Sequence, residues 1–458
     1  MNNTKKTTSF ISINSIEISK NKHNFGEFVP NNNKCDAGKY KILSVSDAQI
    51  LFGNKDIYIW GAGQKGRGFY LALKRNGFKI KSFIDASRQM QNHGFMGNVV
   101  ITPDEFFSNK LISNNSFVLT ASVDSKNIEM ADILISKGFT KGVSFENIQT
   151  LSPFYPTIEV TGICNLRCSS CIRSDKSIIE DGKYMSFNDY SKVINKMVTE
   201  IPFLYLVDLY VFGEPILNNE LPKIIKLNNE LGLASGLSTN LYNIKNLAKV
   251  LDEYPAQIRV SLSGASEETY DVTHTGGKWK RVSKNLDLLG ALIHARGSKT
   301  LVEVYFHIYK HNLHEIKIIK QICQKYGFRF HPSLAVLFSD FAMQYSQSGV
   351  VSEGAKVAND LTVLSLEELL KDCKDTEDKN CILTRIVPVI NWDLYVMACC
   401  NYTYSPILPN YLNVSIEEIV KERTESELCA KCQSHALHRW NHQVHYSKFV
   451  KKLVDENA

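Results

Sequence analysis

The stretch that decides the fold is Tyr155-Pro-Thr-Ile-Glu-Val-Thr-Gly-Ile-Cys164-Asn-Leu-Arg-Cys168-Ser-Ser-Cys171, in which an apolar run leads into three cysteines. Residues Thr157–Val160 predict a short strand, and the cysteines follow it with the spacing C-x3-C-x2-C. Thiolates are ligands of zinc and of iron–sulfur clusters. A structural zinc site takes four ligands, whereas three thiolates on a four-iron cluster leave one iron with an open position. That open iron can bind a substrate or a cosubstrate.

From Thr157 onward, strand-like apolar runs alternate with helix-like segments. The candidate strands are Thr157–Val160, Leu204–Phe212, Ala234–Ser238, Gln257–Ser263, Leu301–Tyr309 and Arg329–Leu334. Alternating units of this kind build a parallel sheet, and such folds place active sites at the carboxyl ends of their strands. The three cysteines, called the triplet below, follow the first of these strands. We therefore predict an open or partial barrel over residues 151–340, with its chemistry at that edge.

The composition is that of an ordinary soluble globular chain, with 44% apolar and 22% charged residues among 458. A formal charge of +6 is small for this length, so no nucleic-acid partner is expected. We also find no apolar run of membrane-spanning length and no apolar segment behind the first lysines. The expectation is a cytoplasmic protein without a membrane partner. In such a chain, clustered cysteines predict metal sites rather than disulfides.

The N-terminal part carries a second feature. Residues 1–52 are polar and predict a leader that is partly disordered. The strand-like run Asp56–Trp60 is followed by Gly61-Ala-Gly63-Gln-Lys-Gly66, and Asp85 stands 22 residues after Gly63, at the end of a second predicted strand. This is the order of a dinucleotide-binding fingerprint.

In that fingerprint, the glycines admit the backbone to a pyrophosphate, and the following helix N-terminus favours its charge. Residues 53–150 therefore predict a small Rossmann-like domain. Two interpretations of its glycines remain open. In the first, a nucleotide is bound by Gly61, Gly63 and Gly66 together with Asp85. In the second, the glycines serve only the packing of helix against strand.

Three further motifs stand at the ends of the second, third and fourth predicted strands after Thr157. They are Val211-Phe-Gly213-Glu214-Pro215, Ser238-Thr-Asn240 and Arg259-Val-Ser261-Leu-Ser263-Gly264. Backbone carbonyls and a carboxylate at the first motif can accept hydrogen bonds from a ligand ammonium group. Together with the triplet, and in this order along the chain, the motifs resemble those of the radical S-adenosylmethionine (radical SAM) superfamily.

The resemblance implies that Cys164, Cys168 and Cys171 are catalytic and hold a [4Fe–4S] cluster, whose fourth iron binds the amino and carboxylate groups of SAM. An electron from a flavodoxin- or ferredoxin-type reductant then cleaves SAM to a 5′-deoxyadenosyl radical. The residues implied to bind this cofactor are Gly213, Glu214, Pro215, Ser238, Asn240, Ser261 and Ser263. The sequence departs from the family at Ser263, where Asp is common. It departs again at Thr273-His274-Thr275-Gly276-Gly277, where many relatives carry Arg-Gly-Gly.

A second cysteine group is spread over the last quarter of the chain and consists of Cys381, Cys399, Cys429 and Cys432. Four thiolates can complete a zinc site or a [4Fe–4S] cluster, and spacing does not separate the two. The group resembles the auxiliary-cluster domain of SPASM or Twitch type. Asp393-Leu394 stands where that family commonly has Asp-Gly at a hairpin turn, and Cys373 and Cys400 are spare. Such a cluster would accept electrons or serve structure only.

The whole chain thus predicts an α/β protein with three parts: a small Rossmann-like domain, a partial (β/α)6 radical SAM barrel and a cysteine-rich SPASM/Twitch-like domain. This last domain, with a linker and a C-terminal helix, takes residues 341–458. The predicted function is oxidation or epimerisation of a sugar, nucleotide-sugar or aminocyclitol. The alternatives are a radical SAM maturase that modifies a peptide, and an iron–sulfur or zinc protein without radical chemistry. Glu303 and His307, on the fifth strand, are candidates for substrate contact.

Overall fold

The structure, a computed structural model, describes residues 42–122, 124–174, 182–374, 381, 383–402, 405–440 and 447–457. Residues 1–41 of the predicted leader are not among these described residues. Its last part is ordered, because Val45–Phe52 forms a helix, α1, whose start is fixed by a capping box between Ser44 and Asp47. Ala48 and Phe52 of this helix are buried in the core of the first domain. The expected boundary at residue 53 is therefore too late.

The first domain is a five-stranded parallel sheet in the order β3-β2-β1-β4-β5. Its strands are β1 Asp56–Trp60, β2 Ile80–Ile84, β3 Val100–Ile101, β4 Ser116–Thr120 and β5 Phe145–Asn147. Its further helices are α2 Gln64–Arg75, α3 Arg88–His93, α4 Pro103–Ser108, α5 Lys110–Asn114, α6 Asp124–Ser136 and α7 Ile148–Leu151. The strand order reverses between β1 and β4, which is where doubly wound sheets bind ligands. The Gly-rich turn follows β1 at this point.

The second sheet has nine strands in the order β11-β10-β9-β8-β7-β6-β12-β13-β14. Six successive parallel strands come from the predicted segments: β6 Thr157–Ile158, β7 Leu206–Asp208, β8 Ala234–Thr239, β9 Gln257–Leu262, β10 Leu301–Ile308 and β11 Arg329–Leu334. The helices that alternate with them are α8 Phe187–Glu200, α9 Leu221–Glu230, α10 Leu247–Asp252, α11 Glu267–Thr273, α12 Trp279–Ala295 and α13 Ile316–Tyr326. This is the six-stranded parallel sheet that the sequence predicts.

The two faces of this sheet have different environments, as the period of two in a strand requires. In β9, Ile258, Val260 and Leu262 are buried in the hydrophobic core. The intervening residues Arg259 and Ser261 line a large cavity. The apolar face therefore supports the helices, and the polar face is left for ligands.

The C-terminal part extends the same sheet. It contributes the strands β12 Val389–Ile390, β13 Val396–Met397 and β14 Pro406–Leu408. Its helices are α14 Ser339–Ser348, α15 Glu353–Leu361, α16 Leu366–Lys374, α17 Leu383–Ile386, α18 Ile416–Glu425, α19 Glu427–Ser434, α20 Leu437–Trp440 and α21 Ser447–Asn457. β12 pairs in parallel with β6, and β13 pairs antiparallel with β12. Among the described residues, none of the helices has both the length and the apolar character of a membrane span.

The β12–β13 turn has Leu394 at the position where glycine is common in the auxiliary-cluster family. Leu394 takes a left-handed conformation with φ of 67°. The Asn391 side-chain oxygen accepts the N–H groups of Asp393 and Tyr395 at 3.0 and 2.9 Å. An asparagine side chain therefore closes the turn and holds a leucine in a conformation that usually favours glycine.

The first domain docks on the end of the second sheet where the strands begin. The Arg75 guanidinium donates to the carbonyls of Leu231, Pro202 and Leu204 at 2.6, 2.8 and 2.6 Å. At the start of α2, the Gln64 side chain donates to the carbonyl of Lys299, which immediately precedes β10, at 3.2 Å. The Gly-rich turn of the first domain therefore faces the amino ends of the second sheet.

Candidate functional site

The triplet lies in the loop that leaves β6, and all three cysteines line the large cavity. The loop turns tightly, because the N–H of Cys171 donates to the carbonyl of Cys168 at 2.9 Å. Burial raises the pKa of each thiol, that of Cys164 to about 11. The charges of the other two cysteines raise the pKa of Cys168 further. Ionised thiolates at this site are therefore stable only with positive charge between them.

The loop is anchored by the segment that departs from the family pattern. The N–H of Arg167 donates to the carbonyl of Thr275, and the N–H of Ser169 donates to that of Thr273, each at 3.0 Å. Backbone carbonyls make this anchor, so it does not depend on the arginine that many relatives carry. The sequence alone did not indicate that Thr273 and Thr275 support the triplet.

His274, between these two threonines, is a buried aromatic wall of the cavity. Its ring stacks on Tyr270, with ring centroids 4.1 Å apart and planes 10° apart. Burial, with a smaller effect from the charge of His307, lowers the pKa of His274 to about 3. The side chain is therefore neutral near pH 7 and contributes shape rather than charge.

Gly213, at the turn after β7, packs against the strand that precedes the triplet. A Cβ atom at this position would overlap the carbonyl oxygen of Thr161, so only glycine fits. The buried Glu159 carboxylate accepts the N–H groups of Phe212 and Gly213 at 2.9 and 3.1 Å. Arg173, just beyond the triplet, donates to the carbonyl of Phe212 at 2.9 Å. Glu159 and Arg173 thus fix this turn, a role that the sequence did not reveal.

Glu214 joins the ends of β7 and β8. One carboxylate oxygen accepts the N–H of Asn240 at 2.7 Å, and the other accepts the N–H of Ile216 at 3.3 Å. Burial raises the pKa of Glu214 to about 7. The Asn240 side-chain amide in turn lies 3.7 Å from the Cys164 sulfur. Two of the predicted cofactor-binding motifs and the triplet therefore form one buried network.

The predicted serines divide between two positions. The hydroxyls of Ser238 and Ser261 lie 3.5 Å apart on the cavity face of β8 and β9. Ser263 also lines the cavity, and its carbonyl accepts the Asn312 side-chain amide at 2.8 Å. Pro215 is buried at the start of a 3-10 turn and does not line the cavity. Ser238, Ser261 and Ser263 can thus reach a ligand directly, whereas Pro215 is placed to shape the backbone.

The donor set at the triplet fits an iron–sulfur cluster, since soft thiolates are the protein ligands of such clusters. The three thiols border an open cavity, so a cluster bound there keeps one side accessible. In the part of the chain that the structure describes, no three His, Cys, Asp or Glu side chains converge on a single metal ion, and this includes the triplet. The thiolates of a four-iron cluster each bind a different iron, so they need not converge on one point. Cys164, Cys168 and Cys171 are therefore the residues that would hold the cluster.

The second cysteine group is brought together by the fold. A separate small cavity is lined by Cys381, Cys399, Cys429 and Cys432. Cys400 lines the large cavity, and its thiol is also hydrogen-bonded with that of Cys399. The side chain of Cys373 lies outside the described residues. The buried Arg423 donates to the Ala398 carbonyl at 2.7 Å, and its positive charge opposes the rise in the pKa of Cys381 and Cys429 that burial causes. Four soft donors beside a buried cation suit a closed cluster or a zinc site.

The glycines of the N-terminal turn have separate roles. Gly61 has φ of 123°, and a Cβ atom there would meet the carbonyl of Ala121. A Cβ atom on Gly66 would overlap the carbonyl of Gly61, so Gly66 serves helix–strand packing and does not line the cavity. Gly63 has no atom within 4 Å of its Cβ position and lines the cavity. Gly61 and Gly63 are therefore the two turn glycines that a ligand in the cavity can approach.

Asp85 holds the turn from the neighbouring strand. Its carboxylate accepts the N–H of Ala62 at 2.8 Å and that of Ser87 at 2.9 Å. The side chain also lines the cavity, so its remaining lone pairs are accessible to a ligand hydroxyl.

The large cavity, of about 1860 Å³, is continuous from the triplet to this turn. Its middle is lined by polar side chains of the second sheet and the segment before it: Tyr155, Asp208, Tyr210, Arg259, Glu303, Tyr305 and His307. The prediction that Glu303 and His307 face the interior is confirmed by this placement. One cavity therefore connects both sites that the sequence predicts.

Comparison with known proteins gives the family of the central segment. Residues 158–321 match the family model described as the Radical SAM superfamily. This segment is a radical SAM domain. It includes the triplet, Gly213-Glu214 and the motifs that end β8 and β9.

Curated relatives match over short stretches only. A 7,8-dihydro-6-hydroxymethylpterin dimethyltransferase of Methanocaldococcus jannaschii is 33% identical over 119 residues, which are 25% of this chain and 23% of that protein. A GTP 3′,8-cyclase of Synechocystis sp. is 27% identical over 121 residues, 26% of this chain and 36% of the relative. The chain thus spans only about a quarter to a third of the length of these relatives.

Solved structures are similar at low identity. Native anSMEcpe with bound AdoMet aligns with a TM-score of 0.42 and 16% identity, over 60% of this chain and 82% of that one. Streptococcus suis SuiB bound to S-adenosylmethionine aligns with a TM-score of 0.43 and 13% identity, over 64% of this chain and 75% of that one.

Proposed function

We propose that this protein is a radical SAM enzyme that cleaves S-adenosylmethionine reductively beside a [4Fe–4S] cluster and removes a hydrogen atom from its substrate. The observation that carries the proposal is the buried network of the triplet, Asn240 and Glu214 at the carboxyl ends of parallel strands. Cys164, Cys168 and Cys171 would hold the cluster, which would supply the single electron that splits SAM into methionine and a 5′-deoxyadenosyl radical. The electron comes from a flavodoxin- or ferredoxin-type reductant.

The surrounding residues bind and orient SAM. Both oxygens of Glu214 accept backbone N–H groups, so we assign it as a positioning residue that joins two strand ends. The backbone carbonyls of the Gly213 turn are then the acceptors for the SAM ammonium group. Ser238 and Ser261, on the cavity face, donate hydroxyl groups to its carboxylate or ribose.

For the substrate we propose a sugar, nucleotide-sugar or aminocyclitol that is oxidised or epimerised. The cavity that joins the triplet to Gly61 and Gly63 supports this choice. A nucleotide held at the turn of the first domain, near Asp85, leaves the attached sugar free to extend toward the triplet. Its pyrophosphate would meet the backbone at Gly63, where the structure leaves open space.

The second cysteine group is proposed to hold an auxiliary cluster. Four thiolates from Cys381, Cys399, Cys429 and Cys432 would complete the coordination of a [4Fe–4S] cluster and leave no open iron. Such a cluster would accept an electron from the substrate radical and make the overall change a two-electron oxidation.

The test is anaerobic reconstitution of the full chain, followed by incubation with SAM and dithionite. We expect 5′-deoxyadenosine from the wild type and none from Cys168→Ser. Cys323→Ser, which removes a buried thiol of α13 outside both cysteine groups, should behave as the wild type. If the wild type forms no 5′-deoxyadenosine although its cluster is complete, the chain is an iron–sulfur protein without radical chemistry.

A deuterated substrate tests the substrate class. Incubation with SAM and uniformly deuterated UDP-glucose should place deuterium in 5′-deoxyadenosine. Product without deuterium, from this probe and from deuterated aminocyclitols, would oppose the sugar assignment and favour the peptide alternative.

A further inference from the structure

Arg259 stands in the middle of the large cavity with part of its hydrogen-bonding capacity unused. Its guanidinium lies over the ring of Tyr305, 3.8 Å from the centroid, and donates to the Tyr305 hydroxyl at 3.0 Å. The Arg259 Nε atom is buried and has no hydrogen-bond partner among the described residues. An unpaired buried donor destabilises the folded protein unless a ligand supplies an acceptor.

The nearby carboxylates are bound by other groups. Asp208 accepts hydrogen bonds from the hydroxyls of Tyr155 and Tyr210. Glu303 forms an ion pair with Arg329 at 2.9 Å. Among the described residues, no Asp or Glu forms an ion pair with Arg259. The Asp208 charge stabilises the Arg259 guanidinium electrostatically without forming an ion pair with it. The unpartnered Nε of Arg259 is therefore the donor in the cavity that a ligand anion can still meet.

The two histidines nearby do not compete for an anion as charged groups. Burial, with a smaller effect from the charge of Arg259, lowers the pKa of His307 to about 4. Burial likewise lowers the pKa of His331, whose ring stacks on Tyr305 with centroids 4.0 Å apart. Both rings are therefore neutral near pH 7 and suit hydroxyl groups rather than anions.

The position of Arg259 along β9 limits the size of the ligand group that can bind between Arg259 and Ser261. Arg259 precedes Ser261 by two residues, on the same face of β9. At a rise of about 3.3 Å per residue, it lies roughly 7 Å below Ser261, toward the first domain. That distance is about the length of one sugar ring, which would lie between an anion at Arg259 and the SAM that Ser261 is proposed to bind.

We propose that Arg259 is the anchor for an anionic oxygen group of the sugar substrate, a phosphate or a carboxylate, and that it fixes which ring carbon faces the triplet. The fork of a guanidinium matches either anion through paired N–H donors. This inference rests on the sugar class of the proposed function. Arg259 is a specificity-determining residue and takes no part in SAM cleavage.

The test measures binding by the reconstituted full chain, with SAM present and no reductant, by titration calorimetry. The probes are α-D-glucose 1-phosphate, D-glucuronate and neutral D-glucose, and the readout is the ratio of their dissociation constants. We expect the wild type to prefer one of the anions by at least about tenfold over glucose, since hydrogen bonds to a charged group are worth about one decade or more. Which anion is preferred distinguishes phosphate from carboxylate.

Arg259→Gln should reduce this preference to about one, and Arg259→Lys should restore only part of it. The matched control is Arg296→Gln, which removes an arginine that pairs with Asp252 outside the cavity and should leave the ratio unchanged. An equal preference in Arg259→Gln and wild type, an equal loss in Arg296→Gln, or no anion preference in the wild type would overturn the inference. Because the ratio compares two probes on one protein, a partly unfolded variant does not imitate the result.

The outcome is separable from that of the proposed function. An Arg259-dependent anion preference in a protein that forms no 5′-deoxyadenosine supports the subsite and refutes the radical chemistry. Formation of 5′-deoxyadenosine without that preference refutes the subsite alone.

Discussion

The backbone N–H of Asn240 donates to the Glu214 carboxylate at 2.7 Å, and this bond ties the end of β8 to the end of β7. The Asn240 side chain then reaches the Cys164 sulfur at 3.7 Å. Both strand ends and the triplet loop are therefore held in one geometry by buried polar contacts, which are costly to break. Substitutions in this network should affect the cluster as well as the fold.

Gly213→Ala should damage the triplet loop. The added Cβ atom overlaps the carbonyl oxygen of Thr161, so the backbone between β6 and the triplet must shift. Overpacking of this kind costs about 1–3 kcal/mol. We expect a lower melting temperature and less iron bound after reconstitution. Wild-type values for both measurements would show that the contact is not required.

His274 should make the protein sensitive to acid. Its folded pKa of about 3 lies below the unfolded value of 6.5, so below pH 6.5 the unfolded chain gains a proton that the folded chain does not. Stability from this residue is complete above pH 6.5 and is lost as the pH falls toward 3. Between pH 6.5 and 4.5 the loss is about 2 kcal/mol, at about 1.4 kcal/mol per pKa unit.

The measurement is urea unfolding of the cluster-free protein at both pH values. The comparison is His274→Phe, which keeps a ring on Tyr270 but does not titrate. The wild type should lose about 2 kcal/mol more than the variant on acidification. Parallel pH profiles of the two proteins would contradict the assignment of a neutral His274.

Cysteine substitutions should separate the two cysteine groups by iron content. With two four-iron clusters, the wild type should bind about eight irons per chain, and Cys429→Ser about four. Cys323→Ser is the control, because Cys323 is buried in α13 outside both cysteine groups. The measurement is the iron content per chain of each protein, determined by a colorimetric assay. About four irons in the wild type would show that the second cysteine group binds no iron–sulfur cluster. Zinc bound there instead would show that the group is a zinc site.

Arg75→Met should loosen the first domain from the second sheet. The side chain donates to three carbonyls across the interface, and these lose their donor. We expect a loss of about 2–3 kcal/mol in the free energy of unfolding and faster proteolysis between the domains. Lys74→Met, at the exposed neighbouring position, should change stability by less than about 0.5 kcal/mol. Similar effects in both variants would show that Arg75 does not hold the interface.

Much of the fold follows from short-range patterns. The six strands after Thr157 were predicted because alternating apolar residues and regular spacing are visible locally. The turn at Gly61 was predicted because a Gly-x-Gly-x-x-Gly pattern follows a strand-like run. The triplet was identified because its ligands lie within eight residues. The helix Val45–Phe52 was missed, since its polar surroundings masked a short apolar face that only tertiary packing buries.

What the sequence determined by itself is therefore the order of elements, the triplet and the set of strand-end motifs. Only the tertiary structure decided which of them meet. It set Thr273 and Thr275 against the triplet loop and joined the Gly-rich turn to the triplet through one cavity lined by Arg259. It also brought Cys381, Cys399, Cys429 and Cys432 to one small cavity. The physical reason is that such contacts join residues far apart in the chain. Their geometry depends on how whole sheets and domains pack, which no local pattern specifies.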